Sequence, residues 1–204
     1  MKLPTSLQDK LEWNIVGPVS PSSPLKPFPT LAVDGGASFV PNIDVWIGDN
    51  DSYLERIDSK NAFLFSPDKS QSDLALALSL FENTNAYTLH LYGFLGGRRD
   101  HELFNFGEIF LHLLTNNSHR IILYEGEIPQ FIFFGSGNQE FEHHGRISIG
   151  TLYPQNITLE GDLSYTGSLD FLPLSSLGLS NQASGPFKVV ASKPFFIFLD
   201  NSNE

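Results

Sequence analysis

A chain of 204 residues with 41% apolar side chains can bury one large core or two small ones, which excludes a wholly disordered polymer. A formal charge of −11, with only 12 Lys and Arg, repels a phosphate backbone and argues against a nucleic-acid partner. The absence of cysteine excludes disulfide frameworks, thiolate zinc sites and thiol nucleophiles.

No apolar run reaches the length of a membrane span. The opening residues Met1-Lys2-Leu3-Pro4-Thr5-Ser6 lack the apolar core of a signal peptide. The expectation is a soluble, cytoplasmic protein.

Trp13 to Val16 reads as a first strand. Pro18, Pro21, Pro24, Pro27 and Pro29, with serines between them, forbid a regular helix and predict an extended loop. Thr30 to Val33 is a short apolar run stopped by Asp34-Gly35-Gly36. Ile43 to Ile47 is another, stopped by Gly48-Asp49-Asn50-Asp51, and Phe63 to Phe65 ends at Pro67. Ser72 is a helix N-cap with Asp73 in the first turn, and the helix runs through Leu74 to about Phe81, apolar nearly all round.

Tyr87 to Tyr92 is a strand, followed by a Gly93–Gly97 loop. A second helix begins near Asp100. Leu103, Phe106, Phe110 and Leu113 form its apolar face; His101, Asn105, Glu108 and His112 fall on the opposite, solvated one. Ile121 to Tyr124 is a further strand. Beyond Glu125 no helical period is found, only short strand-like runs such as Phe131 to Phe134, Arg146 to Ile149 and Phe195 to Leu199. The expected fold is α/β: a parallel-sheet α/β domain over residues 1–128, then a small antiparallel β-sandwich domain over 129–204.

Three acidic loops follow three of the strands: Asp34-Gly35-Gly36, Gly48-Asp49-Asn50-Asp51-Ser52, and the segment from Asp68 to Asp73. In a parallel sheet these loops gather at the carboxyl edge, where ligands bind. Carboxylates meeting there call for a cation, and Mg²⁺, with its hard oxygen ligands and bridging phosphates, fits best. Each loop alone reads more simply as a turn. The Gly93–Gly97 loop running into a helix at Arg98-Arg99-Asp100 is an anion-binding arrangement. His90 reads as a core histidine, and His143-His144 as a surface turn.

Asp34-Gly35-Gly36-Ala37, Gly48-Asp49-x-Asp51-Ser52, Ser72-Asp73 opening a helix, and Gly96-Gly97-Arg98-x-Asp100-His101-x-Leu103-x-Asn105 together resemble, in order, the signature of thiamine pyrophosphokinases. Leu177-Gly178-Leu179-Ser180-Asn181 is similar to a Ser-Asn segment that helps hold thiamine in that family. The resemblance implies transfer of the terminal diphosphate of ATP to the hydroxyl of thiamine, releasing AMP, in a homodimer with sites between subunits. It implies Mg²⁺ on Asp49, Asp51 and Asp73, with Asp34 and Asp100 completing an acidic shell. Arg98 would face the phosphates and Asp100 accept the hydroxyl proton. Gly35, Gly36, Gly96, Gly97, His101, Asn105, Ser180 and Asn181 would line the ATP and thiamine sites.

The chain departs from the family's pattern at Ser70, where an acid is usual, at Ser72 in place of Thr, and in a shortened segment after Ala37. The alternatives are a diphosphokinase for another alcohol, such as a hydroxymethylpterin, or a non-catalytic nucleotide-binding relative. The Phe195–Phe198 run carries an expectation of dimer contact through the β domains.

Overall fold

The computed structural model describes residues 2–49, 61–66, 68, 70–82 and 84–200. Its strands form one twelve-stranded sheet in the order β10-β9-β11-β8-β12-β7-β6-β5-β1-β2-β3-β4. The parallel half comprises β1 (Glu12–Val16), β2 (Thr30–Val33), β3 (Val45–Gly48), β4 (Ala62–Leu64), β5 (Thr88–Tyr92) and β6 (Arg120–Glu125). The antiparallel half comprises β7 (Ile128–Phe134), β8 (Gly137–Gly150), β9 (Gln155–Leu163), β10 (Gly167–Phe171), β11 (Asn181–Ala191) and β12 (Phe195–Leu199). The change of direction falls between β6 and β7, across the turn at Gly126.

Helix α1 (Asp73–Ser79) and helix α2 (Arg99–Thr115) pack on one face of the parallel half. Alternation sends Trp13, Ile15, Leu31, Val33, Leu89 and Leu91 to that face, where they meet Leu74, Leu78, Phe110 and Leu113. The other face carries Asn14, Val16, His90 and Tyr92. It is covered by the proline-rich segment between β1 and β2, with Leu25 packed against Val16, Tyr92 and Tyr124. The antiparallel strands bury a core of their own around Ile147, Ile157, Phe171, Phe187 and Phe195.

Several expectations are corrected. The antiparallel strands continue the parallel sheet through β6–β7 rather than standing apart as a separate sandwich. Helix α1 ends at Ser79, two residues early, because Leu80 and Phe81 tighten into i→i+3 bonds to Ala77 and Leu78. Leu103 is exposed, whereas His112 is buried and bonded to His119 at 2.9 Å, so the inward face of α2 is rotated from the one expected. His143 and His144 sit within strand β8 rather than in a turn. Within the Phe195–Phe198 run, Phe196 packs edge-on against Phe106 and Phe110 of α2. His90 is a satisfied core histidine, bonded to Glu12 and Tyr124 at 2.9 Å each.

Candidate active site

Strand β1 is the switch point of the parallel half, with β2, β3 and β4 to one side and β5 and β6 to the other. Loops leaving the carboxyl ends of such strands diverge and leave a crevice. A cavity of about 380 Å³ opens there. Pro18 and Val19 line it after β1, Val33 and Asp34 after β2, Ser72 to Leu74 at the start of α1, and Gly93, Phe94 and Gly97 after β5. Arg98, His101, Glu102 and Asn105 complete the wall from the opening of α2.

Local sequence explains each position. Asp34 adopts φ 48°, a left-handed conformation that Asp tolerates better than most residues, and turns β2 abruptly into a 3-10 turn over Asp34–Phe39. Trp46 Nε1 donates to the Asp34 carbonyl at 3.2 Å. Gly36 passes so close to β1 that a Cβ would lie 2.1 Å from the Val16 carbonyl oxygen. Ser72 Oγ accepts from the Ala75 N–H at 3.1 Å, which caps α1 and sets Asp73 in its first turn on the cavity wall.

Helix α2 opens at Arg98 without a side-chain cap. Glu102 reaches back instead, accepting from the Gly96 N–H at 2.7 Å and from Arg99 at 2.9 Å. Asn105 Nδ2 donates to the Phe94 carbonyl at 3.2 Å. These two side chains stitch the glycine loop to the helix. The hydrogen bonds from Arg99 and then the Gly96 amide hold the Glu102 carboxyl below the usual range.

Arg98 forms a bidentate pair with Asp100, at 2.5 and 3.1 Å, on the exposed rim. The pair raises the Arg98 guanidinium and lowers the Asp100 carboxyl from their ordinary values. While it persists, Asp100 is a weakened base and Arg98 is already engaged.

The cavity therefore brings together Asp34, Asp73, Gly97, Arg98, His101 and Asn105. Gly35 and Gly36 lie in the turn beside Asp34. Asp49 is exposed after β3 and does not line the cavity, and Asp51 lies outside the described residues. Ser180 and Asn181 do not line it either. Asn181 is buried, its Oδ1 accepting from the Tyr165 and Gln182 amides and its Nδ2 donating to the Tyr165 carbonyl. Ser180, at φ 57°, donates its N–H to Ser148 Oγ. Sequence reasoning missed Pro18, Val19 and Glu102. Pro18 and Val19 carry no chemical label, and only the strand order places them at the crevice.

A second cavity of about 590 Å³ lies on the other side of the glycine loop. Leu95, Leu103, Phe106, Phe131 and Phe198 line it, with Arg99, Glu102 and Glu125 among them, so Glu102 borders both cavities.

Residues 29–123 match the thiamin pyrophosphokinase catalytic domain. Over that span, just under half of its length, the chain resembles the thiamin pyrophosphokinase family. It is a transferase of that type. The matched span contains every cavity residue except Pro18 and Val19, and it excludes Ser180 and Asn181. Solved structures agree in fold. Thiamine pyrophosphokinase from Bacillus subtilis is 23% identical with a TM-score of 0.71, covering 93% of this chain and 99% of its own. The enzyme from Geobacillus thermodenitrificans is 19% identical with a TM-score of 0.71, covering 95% and 99%. That from Candida albicans is 13% identical with a TM-score of 0.68, covering 98% and 92%. No curated protein sequence matches the chain.

Among the described residues, no three His, Cys, Asp or Glu side chains gather as a metal cluster. The donors near the cavity are nonetheless of the right chemistry for a pyrophosphokinase: Asp34 and Asp73 offer carboxylate oxygens on its wall. Mg²⁺ keeps water and phosphate oxygens in its shell and needs only one or two protein carboxylates, so this set fits it.

Proposed function

We propose that the switch-point cavity binds ATP and that the chain transfers its terminal diphosphate to the hydroxyl of thiamine. The observation that carries this reading is the convergence of Asp34, Asp73 and the Gly93–Arg98 loop on one cavity within the matched catalytic domain. In the reaction the acceptor oxygen bonds to the β-phosphorus of ATP, the bond from that phosphorus to the α,β-bridging oxygen breaks, and AMP leaves. Such transfers depend on positioning and charge neutralisation more than on covalent help from the protein.

Asp73 and Asp34 would hold Mg²⁺ with Asp49 and Asp51, and the bound ion would neutralise the phosphate oxygens. Arg98 would turn from Asp100 to the phosphates. That exchange would free Asp100 to take the hydroxyl proton. His101 and Asn105 would bound the nucleotide, and Gly35, Gly36, Gly96 and Gly97 would let it approach the backbone.

Residues 1–128 would then supply the donor site and 129–204, with Ser180 and Asn181, the acceptor side from a second copy. The support for a homodimer is the exposed stripe Phe104, Leu111 and Leu114 on α2, at 71, 58 and 45% exposure. Incubation with ATP, Mg²⁺ and thiamine, scored for AMP and thiamine diphosphate, tests the function. AMP release with a hydroxymethylpterin and none with thiamine would sink the choice of acceptor. ATP binding without AMP release from any alcohol would sink the enzyme.

A further inference from the structure

The glycine loop after β5 has a neighbour besides α2. Val19 packs on it from the β1 side, donating its N–H to the Gly93 carbonyl at 3.2 Å. A Cβ on Gly93 would fall 2.1 Å from the Val19 carbonyl oxygen, and one on Gly97 would fall 3.0 Å from Val19 Cγ2. Val19 thus touches both ends of the loop, half-buried, and lines the cavity itself. Glu102 and Asn105 hold the same loop from the helix side.

No regular element contains Val19. It lies near the start of a strap, residues 17–29, that is tied at four places. Gly17 N–H donates to the Tyr92 carbonyl at 2.7 Å. Ser22 Oγ accepts from the Gly126 N–H at 2.9 Å, and Ser23 Oγ donates to the Gly126 carbonyl at 2.7 Å. The buried Asn14 donates from Nδ2 to the Lys26 and Phe28 carbonyls at 2.9 and 3.1 Å. Phe28 stacks on His90 at 5.2 Å, and Glu12 and Tyr124 fix that imidazole from both of its nitrogens. The five prolines restrict the free strap, so little chain entropy is lost in holding it there.

We propose that Val19, anchored by this strap, is a positioning residue for the glycine loop that receives the phosphates of ATP. The proposal rests on the reading of the switch-point cavity as the ATP site. A loop wedged from two sides is held in its binding arrangement before ATP arrives. Without the Val19 side chain the loop samples other arrangements, and apparent affinity falls by the fraction that remains competent.

Calorimetry with Mg²⁺-ATP on the full chain and on Val19→Ala tests this, together with steady-state rates and thermal midpoints. If about a tenth to a fifth of loops stay competent, Kd and KM for ATP rise about five- to tenfold. The values of kcat and of KM for thiamine stay unchanged. Val19→Ile, which keeps Cγ2, restores ATP affinity. The double variant Ser22→Ala, Ser23→Ala, whose changes lie outside the cavity, shows a smaller loss of the same kind.

Amide hydrogen exchange at Gly93–Gly97 provides a second readout that needs no ATP, and it is faster in Val19→Ala. Unchanged exchange and unchanged ATP affinity in Val19→Ala overturn the proposal. So does a fall in thermal midpoint with no selective effect on ATP. Failure of the unaltered chain to bind Mg²⁺-ATP, with exchange still faster in Val19→Ala, refutes the ATP reading of the cavity and leaves the wedge standing.

Discussion

His112 makes the folded state sensitive to acid. It lies 7% exposed on α2, with Nε2 2.9 Å from Nδ1 of His119, itself 5% exposed. One ring donates and the other accepts, so the two cannot both be protonated. Burial, and then the neighbouring His119, push the His112 imidazole down to about 3 from an ordinary 6.5.

Below pH 6.5 an unfolded His112 takes a proton that the folded one refuses until about pH 3. The unfolded state then binds more protons, and stability falls with pH through that window. At pH 5 the lost contribution is about 2 kcal/mol, or roughly 4–8 °C in thermal midpoint for a chain of this size. Urea unfolding at pH 7 and pH 5, on the wild type and on His112→Gln, measures it. Gln keeps a donor for His119 and cannot titrate. The wild type should lose about 2 kcal/mol more than the variant over that interval. An identical loss in both would refute the reasoning, since every other titrating group is shared.

Replacing Asp73 by Asn should lower turnover at least about a hundredfold while leaving the thermal midpoint near that of the wild type, because the residue faces the cavity and the Ser72 cap remains. Arg98→Gln removes the main cause that depresses the Asp100 carboxyl; if Asp100 is the base, the acid limb of kcat/KM moves to higher pH, and a limb that stays in place rules it out. Gly36→Ala should cost roughly 2–3 kcal/mol in urea unfolding, because its Cβ would meet the Val16 carbonyl, whereas Gly35→Ala, with nothing within 4 Å, should be near neutral. Asn181→Ala should cost about 2 kcal/mol through the bonds lost to Tyr165 and Gln182 and leave ATP affinity intact; selective loss of thiamine binding without loss of stability would restore a direct role in holding the acceptor.

The convergence of Asp34, Asp73 and the glycine loop on one cavity was legible because it follows from local sequence. Asp34, Ser72, Asp73 and the Gly93–Arg98 loop each sit where a strand or helix begins or ends, and a parallel sheet brings such points together without further information. Val19 was not legible, since a valine among prolines carries no chemical label. Its role depends on two glycines more than seventy residues away. His112 was misread for a related reason. Helix α2 is apolar on several sides, so its period does not say which side faces the sheet, and only the partner at His119 decides it. Asn181 carries a bond pattern that its motif does not announce: its Oδ1 and Nδ2 both bond to backbone groups of Tyr165 and Gln182.

The six paired positions between β6 and β7, from Arg120 opposite Phe134 to Glu125 opposite Ile128, make the two halves of the sheet one mechanical body. A clamshell motion about this seam would have to break a hydrogen-bonded ladder and part Phe133 from Ile121. Water must therefore be shut out of the cavity by segments at its rim. The sheet beneath those segments then acts as a stationary anvil.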